Sequence, residues 1–255
     1  MLTQLLDGAM GTELAQRGFE LRAPLWGARA IEDAPALVVA IHASYVAAGA
    51  EALVTASFGL DARHASLATA SVALARQAAA NLPCIGSIGP ADPSHSTARR
   101  REHYTALGRA LKDGGASALF AETQTSVAGA RIASTSLRQF GLPLWVAIAC
   151  GPDGKSLAGE PLDTPLGADV AFVGCTEHTG LLPALRSLAP HNPVLGVRPS
   201  LALTTADGFD PAGASEADVV DAIECCRAQF ELAYVGGCCG TTPEFTAALA
   251  QALRT

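Results

Sequence analysis

The sequence predicts a (β/α)8 barrel in a single domain over residues 1–255. Three observations lead there: eight short, nearly unbroken apolar runs spread along the chain, Ala-rich stretches of helical period lying between them, and polar or cysteine residues just past the ends of the runs. Eight strand–helix units in 255 residues match the number and size of that barrel, which typically takes about 250 residues. A doubly wound open sheet is the alternative, but no G-x-G-x-x-G follows any run, and no low-complexity linker or shift in composition divides the chain.

In chain order, the runs are residues 2–7, 52–57, 84–87, 118–122, 144–149, 170–174, 194–197 and 232–236. They are too uniformly apolar for half-exposed antiparallel strands and suit parallel strands buried on both faces. Helical spacing follows in residues 36–49, 66–81, 101–113, 126–140, 180–189 and 215–229. In the first of these, ALVVAIHASYVAAG, apolar residues recur at i, i+3 and i+4 and the pattern stops at Gly49. Gly18, Gly141 and Gly180 likewise sit where helix ends or turns are expected. Residues 200–216, rich in Gly, Asp, Thr and Pro, are expected to be a loop. Thr241, Thr242, Pro243 and Glu244 form a helix start: Thr to cap, Pro at the first helical position, Glu in the first turn.

Composition narrows the function. Seventeen Lys and Arg against 24 Asp and Glu give a net charge of −7, with 16% charged and 49% hydrophobic residues. Such a chain is not disordered. Acidic and without a basic block, it is a poor partner for nucleic acid or an anionic membrane. The long apolar stretch 36–58 carries His42 and Glu51, so no transmembrane helix is expected. The first residues show no basic segment followed by a signal core, so a cytoplasmic location is expected. The cysteine count is seven, and four of them form the adjacent pairs Cys225-Cys226 and Cys238-Cys239. A secreted disulfide framework would be even and spread out, which leaves free thiols or metal ligands.

A barrel of this type carries its chemistry at the C-terminal ends of the strands. There the sequence places Asp7-Gly8, Thr55 and Ser57, Ser87, Glu122-Thr123, Cys150, Cys175, Arg198, and Gly236-Gly237-Cys238-Cys239. Adjacent residues of an extended strand face opposite ways, so Cys238 and Cys239 reach one ion only if the backbone turns, and the flanking glycines permit that. Two cysteines do not complete a zinc site. Cys175 is the preferred third ligand, and a fourth position stays open for a substrate thiol. Cys150 and His178 remain alternative ligands. Glu122, ending a buried strand, requires a cationic partner, either a substrate ammonium or an arginine such as Arg198. Cys225 and Cys226 lie mid-helix and are expected to be structural.

The segments LLDGAMGTEL (5–14), IHASYVAAGAE (41–51), IGSIGP (85–90), AETQTSVAGA (121–130) and GGCCGTTPEF (236–245) resemble, in order, the homocysteine S-methyltransferase family. That family includes betaine- and S-methylmethionine-dependent enzymes and the homocysteine module of cobalamin-dependent methionine synthase. The resemblance implies a barrel with Zn2+ held by Cys175, Cys238 and Cys239 and homocysteine bound to it through sulfur. It also implies that Asp7 and Glu122 contact the substrate's amino group, and that the loop from Gly8 to Gly11 offers amides to its carboxylate. The product would be methionine, and the favoured donor S-methylmethionine or another sulfonium. Partners would be small molecules only, and the sequence does not set an oligomeric state. Two departures leave the donor open: Thr55-Ala56-Ser57-Phe58 stands for a TNTF-like segment, and Gly196-Val197-Arg198-Pro199-Ser200 for a YPN-like one. The segment before the last strand is also shortened. Thr55, Ser57, Ser87, Cys150 and Arg198 complete the expected pocket. The alternatives are methyl transfer to another small thiol or selenol, and a non-catalytic barrel with structural zinc.

Overall fold

A computed structural model describes residues 3–205, 208–211 and 214–254. Eight parallel strands among these residues form one sheet: β1 (Gln4–Leu5), β2 (Leu53–Val54), β3 (Cys84–Ile88), β4 (Ala118–Gln124), β5 (Leu144–Ile148), β6 (Val170–Thr176), β7 (Leu195–Pro199) and β10 (Leu232–Val235). The order is β1-β10-β7-β6-β5-β4-β3-β2. A parallel bridge from Leu6 to Ala52 joins the two ends. The Glu51 amide donates to the Leu5 carbonyl at 2.8 Å and the Asp7 amide to that of Ala52 at 3.3 Å. The sheet thus curls onto itself as the predicted barrel.

Side-chain alternation sorts the strands into two cores. Leu6, Val54, Ile85, Phe120, Trp145 and Phe172 fill the interior. Phe120, Trp145, Phe172 and Tyr234 pack ring to ring there, with neighbouring centroids 4.4 to 6.0 Å apart. Gly196 makes room for them, since a Cβ on it would lie 2.3 Å from the Phe172 ring. The alternate residues, including Leu5, Leu53, Leu119, Val146 and Val173, face the surrounding helices in the larger outer core.

The helices are α1 (Met10–Gln16), α2 (Ala30–Asp33), α3 (Pro35–Ala47), α4 (Ala65–Ala78), α5 (Thr97–Asp113), α6 (Val127–Leu137), α7 (His178–Leu188), α8 (Glu216–Arg227) and α9 (Pro243–Ala252). Their starts are chemically explicit. Ser96 caps α5 and Ser126 caps α6, Ser215 and Asp218 form a capping box on α8, and Thr242 caps α9 with Pro243 next. No single helix among the described residues is long and apolar enough to cross a membrane.

Gly180 lies in the first turn of α7, at the expected helix end, and a Cβ there would sit 2.6 Å from the Gly151 carbonyl oxygen, so it also serves close packing. Three expectations are corrected. The residues from Met10 form a helix rather than a loop. Residues 149–169 join β5 to β6 without a helix. The stretch 200–216 contains an antiparallel hairpin of β8 (Ala202–Thr205) and β9 (Gly208–Pro211). Residues 206, 207, 212 and 213 of that stretch, with residue 2 of the first run and residues 1 and 255 of the expected domain, lie outside the described residues.

Candidate metal and thiol site

The three predicted thiols converge. The Cys175, Cys238 and Cys239 sulfurs all lie within 4.8 Å of one another, and no other His, Cys, Asp or Glu joins that group among the described residues. Cys175 Sγ and Cys239 Sγ are 3.7 Å apart. Sulfurs held about 2.3 Å from one zinc in a tetrahedron are roughly 3.8 Å from each other, so the spacing suits that ion. Burial and mutual contact fit the same picture. Packed against Cys238 and Cys239, the Cys175 thiol is pushed well above its ordinary range. Three such thiols ionise together only if a cation compensates them.

Backbone irregularity aims them. Phe172 faces the interior and strict alternation would turn Cys175 outward. Instead the pairing of β6 with β7 shifts between Gly174 and Thr176, and Cys175 takes φ 54°. That is a bulge with a residue in the left-handed region, which re-aims a side chain at some cost in strain. Thr176 Oγ1 braces it, donating to the Gly174 carbonyl at 3.1 Å and accepting from the Cys150 amide at 2.9 Å. After β10 the chain turns through Gly236–Gly240. The Cys238 amide donates to the Pro199 carbonyl at 2.8 Å. Thr241 Oγ1 donates to the Cys238 carbonyl at 2.7 Å and accepts from the Ala9 amide at 3.2 Å. The Tyr45 hydroxyl lies 3.0 Å from the carbonyls of both Ala9 and Thr241.

Strand β4 repeats the device. Its pairing with β5 shifts between Ala121 and Gln124, and Thr123 has φ 53°. The Gln124 side-chain amide donates to the Glu122 carbonyl at 2.9 Å. Glu122 then projects into the cavity, where Oε1 accepts from Ser87 Oγ and Oε2 accepts from Arg198 Nη1 at 2.5 Å. Burial pushes the Glu122 carboxyl up, opposed by the Arg198 charge. Arg198 also donates from Nε to the Gly237 carbonyl at 3.0 Å, and its guanidinium lies 5.8 Å from the Phe120 ring centroid.

A cavity of about 300 Å³ opens above these groups. Gly8, Ser87, Glu122, Arg198 and the three cysteines form its floor, Met10, Leu21, Val54, Thr55 and Thr123 line it with them, and the exposed Trp26 and Phe58 stand at its mouth.

Three expected pocket residues do not line it. Asp7 follows inward-facing Leu6 and so turns aside. Its Oδ2 accepts from the Val54 amide at 2.9 Å and lies 3.8 Å from His42 Nδ1, while Oδ1 lies 3.7 Å from Arg198 Nη2. Burial pushes the Asp7 carboxyl up to about 7 against the pull of Arg198. Cys150 belongs to the outer core, because Trp145 and Ala147 face inward. Ser57 is spent on Thr55 Oγ1 and the Ser87 carbonyl, both at 2.7 Å. Cys225 is exposed and Cys226 buried in α8. Sequence reasoning missed Gln124, Thr176 and Tyr45, which brace the backbone. A polar residue two positions beyond the end of each predicted run, 118–122 and 170–174, was the available signal for the first two.

The family model for homocysteine S-methyltransferase matches residues 4–253. Over its whole length the chain is similar to the homocysteine methyltransferase MmuM of Escherichia coli in its metallated form, with a TM-score of 0.82 at 26% identity, covering 100% of this chain and 97% of that one. Its apo form gives 0.79 at 27%. In sequence, 93% of the chain aligns at 29% identity with the methionine synthase of Mycobacterium tuberculosis. The chain spans about a quarter of that protein's length, 23%. An alignment of 107 positions, covering 34% of each chain, is 39% identical to the Escherichia coli homocysteine S-methyltransferase.

Proposed function

Because the chain belongs to the homocysteine S-methyltransferase family, we propose that it moves a methyl group from an activated small-molecule donor to the thiol of homocysteine, giving methionine. The observation that carries this reading is the three-thiol cluster on the floor of the cavity. Cys175, Cys238 and Cys239 would hold Zn2+, a metal suited to soft thiolate ligands. The ion, when bound, would lower the pKa of the acceptor thiol and keep its sulfur nucleophilic. The metallated state of the Escherichia coli relative supports a metal here.

The chain's own residues do the rest. Glu122, with Ser87 and Arg198 fixing its oxygens, faces the cavity where an acceptor's ammonium would lie. Gly8, Ala9, Met10 and Gly11 line the same wall, and the first-turn amides of α1 have no partner within the helix, so they suit the acceptor carboxylate. Asp7 acts from behind, through Arg198. Trp26 and Phe58 at the mouth suit a cationic donor, since aromatic faces attract cations. S-methylmethionine or another sulfonium is the favoured donor. Its methyl–sulfur bond breaks as the new one forms, and it leaves as a neutral thioether, so no general acid is required. Positioning and charge supply the rate.

We place this barrel domain, residues 1–255, in the cytoplasm, where seven cysteines outside disulfides are stable. Its partners would be these small molecules, with neither nucleic acid nor membrane. A closed structural zinc site would need a fourth protein ligand, and neither Cys150 nor His178 joins the cluster.

The test is a donor panel. Zinc-loaded protein and homocysteine are mixed with S-methylmethionine, S-adenosylmethionine, glycine betaine and methyltetrahydrofolate, and methionine is read by mass spectrometry. Methionine from a sulfonium is expected. None from any donor would refute the assignment.

A further inference from the structure

Arg198 pairs with Glu122, the carboxyl group assigned above to an acceptor's ammonium. Its Nη1 donates to Glu122 Oε2 at 2.5 Å, its Nη2 lies 3.7 Å from Asp7 Oδ1, and its Nε is taken by the Gly237 carbonyl. All three residues are buried, at 4%, 8% and 2% exposure for Arg198, Glu122 and Asp7. Ser87 serves the other Glu122 oxygen. Without this arginine, two buried carboxyl groups would require a cation from the substrate. A thiol lacking the α-amino group would leave them unpaired, a situation that elsewhere rejects analogues by about 10⁴–10⁵-fold. With it, Glu122 is compensated before any acceptor arrives.

From this arrangement we infer that Arg198 is a specificity-determining residue that releases the acceptor pocket from its need for an α-ammonium, so that short ω-thiol carboxylates are methylated as well as homocysteine. The inference rests on the methyl-transfer reading above. The step balances as it does for homocysteine. The thiol proton goes to solvent on binding, the sulfur–methyl bond forms, the donor's methyl–sulfonium bond breaks, and its electron pair stays on the departing thioether.

The experiment compares homocysteine with 4-mercaptobutanoate, its des-amino analogue, on the zinc-loaded full chain. Dissociation constants are measured by calorimetry without donor, and kcat/KM with whichever donor serves homocysteine. In the wild type the two acceptors should differ by less than about 30-fold. In R198M, or in R198Q should the first fail to fold, the preference for homocysteine should grow at least about 10-fold further, chiefly through weaker binding of the analogue. In R198K, which keeps the charge, the ratio of the two acceptors should stay closer to the wild type than in R198M. A wild-type difference above 30-fold, or a neutral variant with the wild-type ratio, overturns the inference while homocysteine methylation stands. Failure of both acceptors to bind overturns the two together. If both bind as expected but no donor yields product, the methyl-transfer reading fails and takes the methylation of these acceptors with it, leaving only the relaxed binding preference.

Discussion

The two sides of the cavity floor are built by different means. On the thiol side, Cys175 is aimed by a bulge, and Cys238 and Cys239 by a glycine turn held through backbone hydrogen bonds to Pro199, Thr241 and Ala202. On the acidic side a bulge also aims Glu122, but the charged groups of Glu122 and Arg198, with Asp7 behind them, come from three strand ends and are held chiefly by one another. The first side is a fixed frame, and losing one member should remove its function outright. The second is a charge network, whose loss should be graded because the remaining members can re-pair.

The sharpest way to break that contrast is Cys239→Ser. We expect zinc content and methyl transfer to fall to near background while the far-ultraviolet dichroism and thermal midpoint change little, since the outer core is untouched. Unchanged metal content would remove Cys239 from the ligand set. The next is Gly237→Ala, which touches no ligand directly. A Cβ there would lie 2.2 Å from Thr241 Oγ1, the atom that holds the Cys238 carbonyl. Overpacking of this kind costs about 1–3 kcal/mol, and loss of a supporting contact around a metal site typically costs about 10–100-fold in affinity. A competitive zinc titration and a urea melt would measure both. Zinc affinity equal to the wild type would mean that the turn adjusts and the frame is less fixed than its hydrogen bonds imply.

The same contrast explains what the amino-acid order revealed. The parallel barrel was legible because buried parallel strands leave uninterrupted apolar runs, and the cysteines were legible because two strand ends on one rim carry them. The hairpin at Ala202–Thr205 and Gly208–Pro211 was not, because its Gly, Asp, Thr and Pro content is that of a loop. The bulges at Thr123 and Cys175 were also hidden. Both residues are ordinary in composition, and their left-handed backbone is imposed by Gln124 and Thr176, whose side chains grip the strand they end. Asp7 is set apart from the cavity lining for a related reason. Its position at a strand end suggested the cavity, whereas alternation from Leu6 turns it toward Val54 and His42. Strand-end position names the rim residues, and the pleat decides which of them face the cavity.

Glu122→Ala probes the acidic side at its cavity-facing carboxylate. It removes a charged hydrogen-bonding partner, worth about 1.5–3 kcal/mol, and leaves the Arg198 cation to repel an incoming ammonium. The homocysteine KM should rise by about 10–100-fold, with a smaller fall in kcat and normal zinc content. An unaltered KM would make Glu122 purely structural.

Asp7→Asn should disturb the cavity least, because Asp7 does not line it and an asparagine oxygen can still accept from the Val54 amide. Its signature is instead a pH dependence. Burial raises the folded-state pKa of Asp7 to about 7, above the roughly 3.9 of an unfolded chain. Below about pH 4 the carboxyl is protonated in both states and contributes no difference. Between about pH 4 and 7 the folded chain binds the proton more tightly, so wild-type stability falls as pH rises, and the loss is complete once the pH passes the folded pKa. The shift bounds this loss at about 4 kcal/mol. Relative to Asp7→Asn, the metal-free wild type should therefore grow less stable from pH 4 to 7 and stay level above that. Burial pushes His42 beside it down to about 4, so that ring stays neutral over most of this window. Urea melts at half-unit pH steps would show the trend. A difference that is flat, or that moves the other way, would mean that Arg198 keeps Asp7 ionised, making the acidic side as rigid a frame as the thiols.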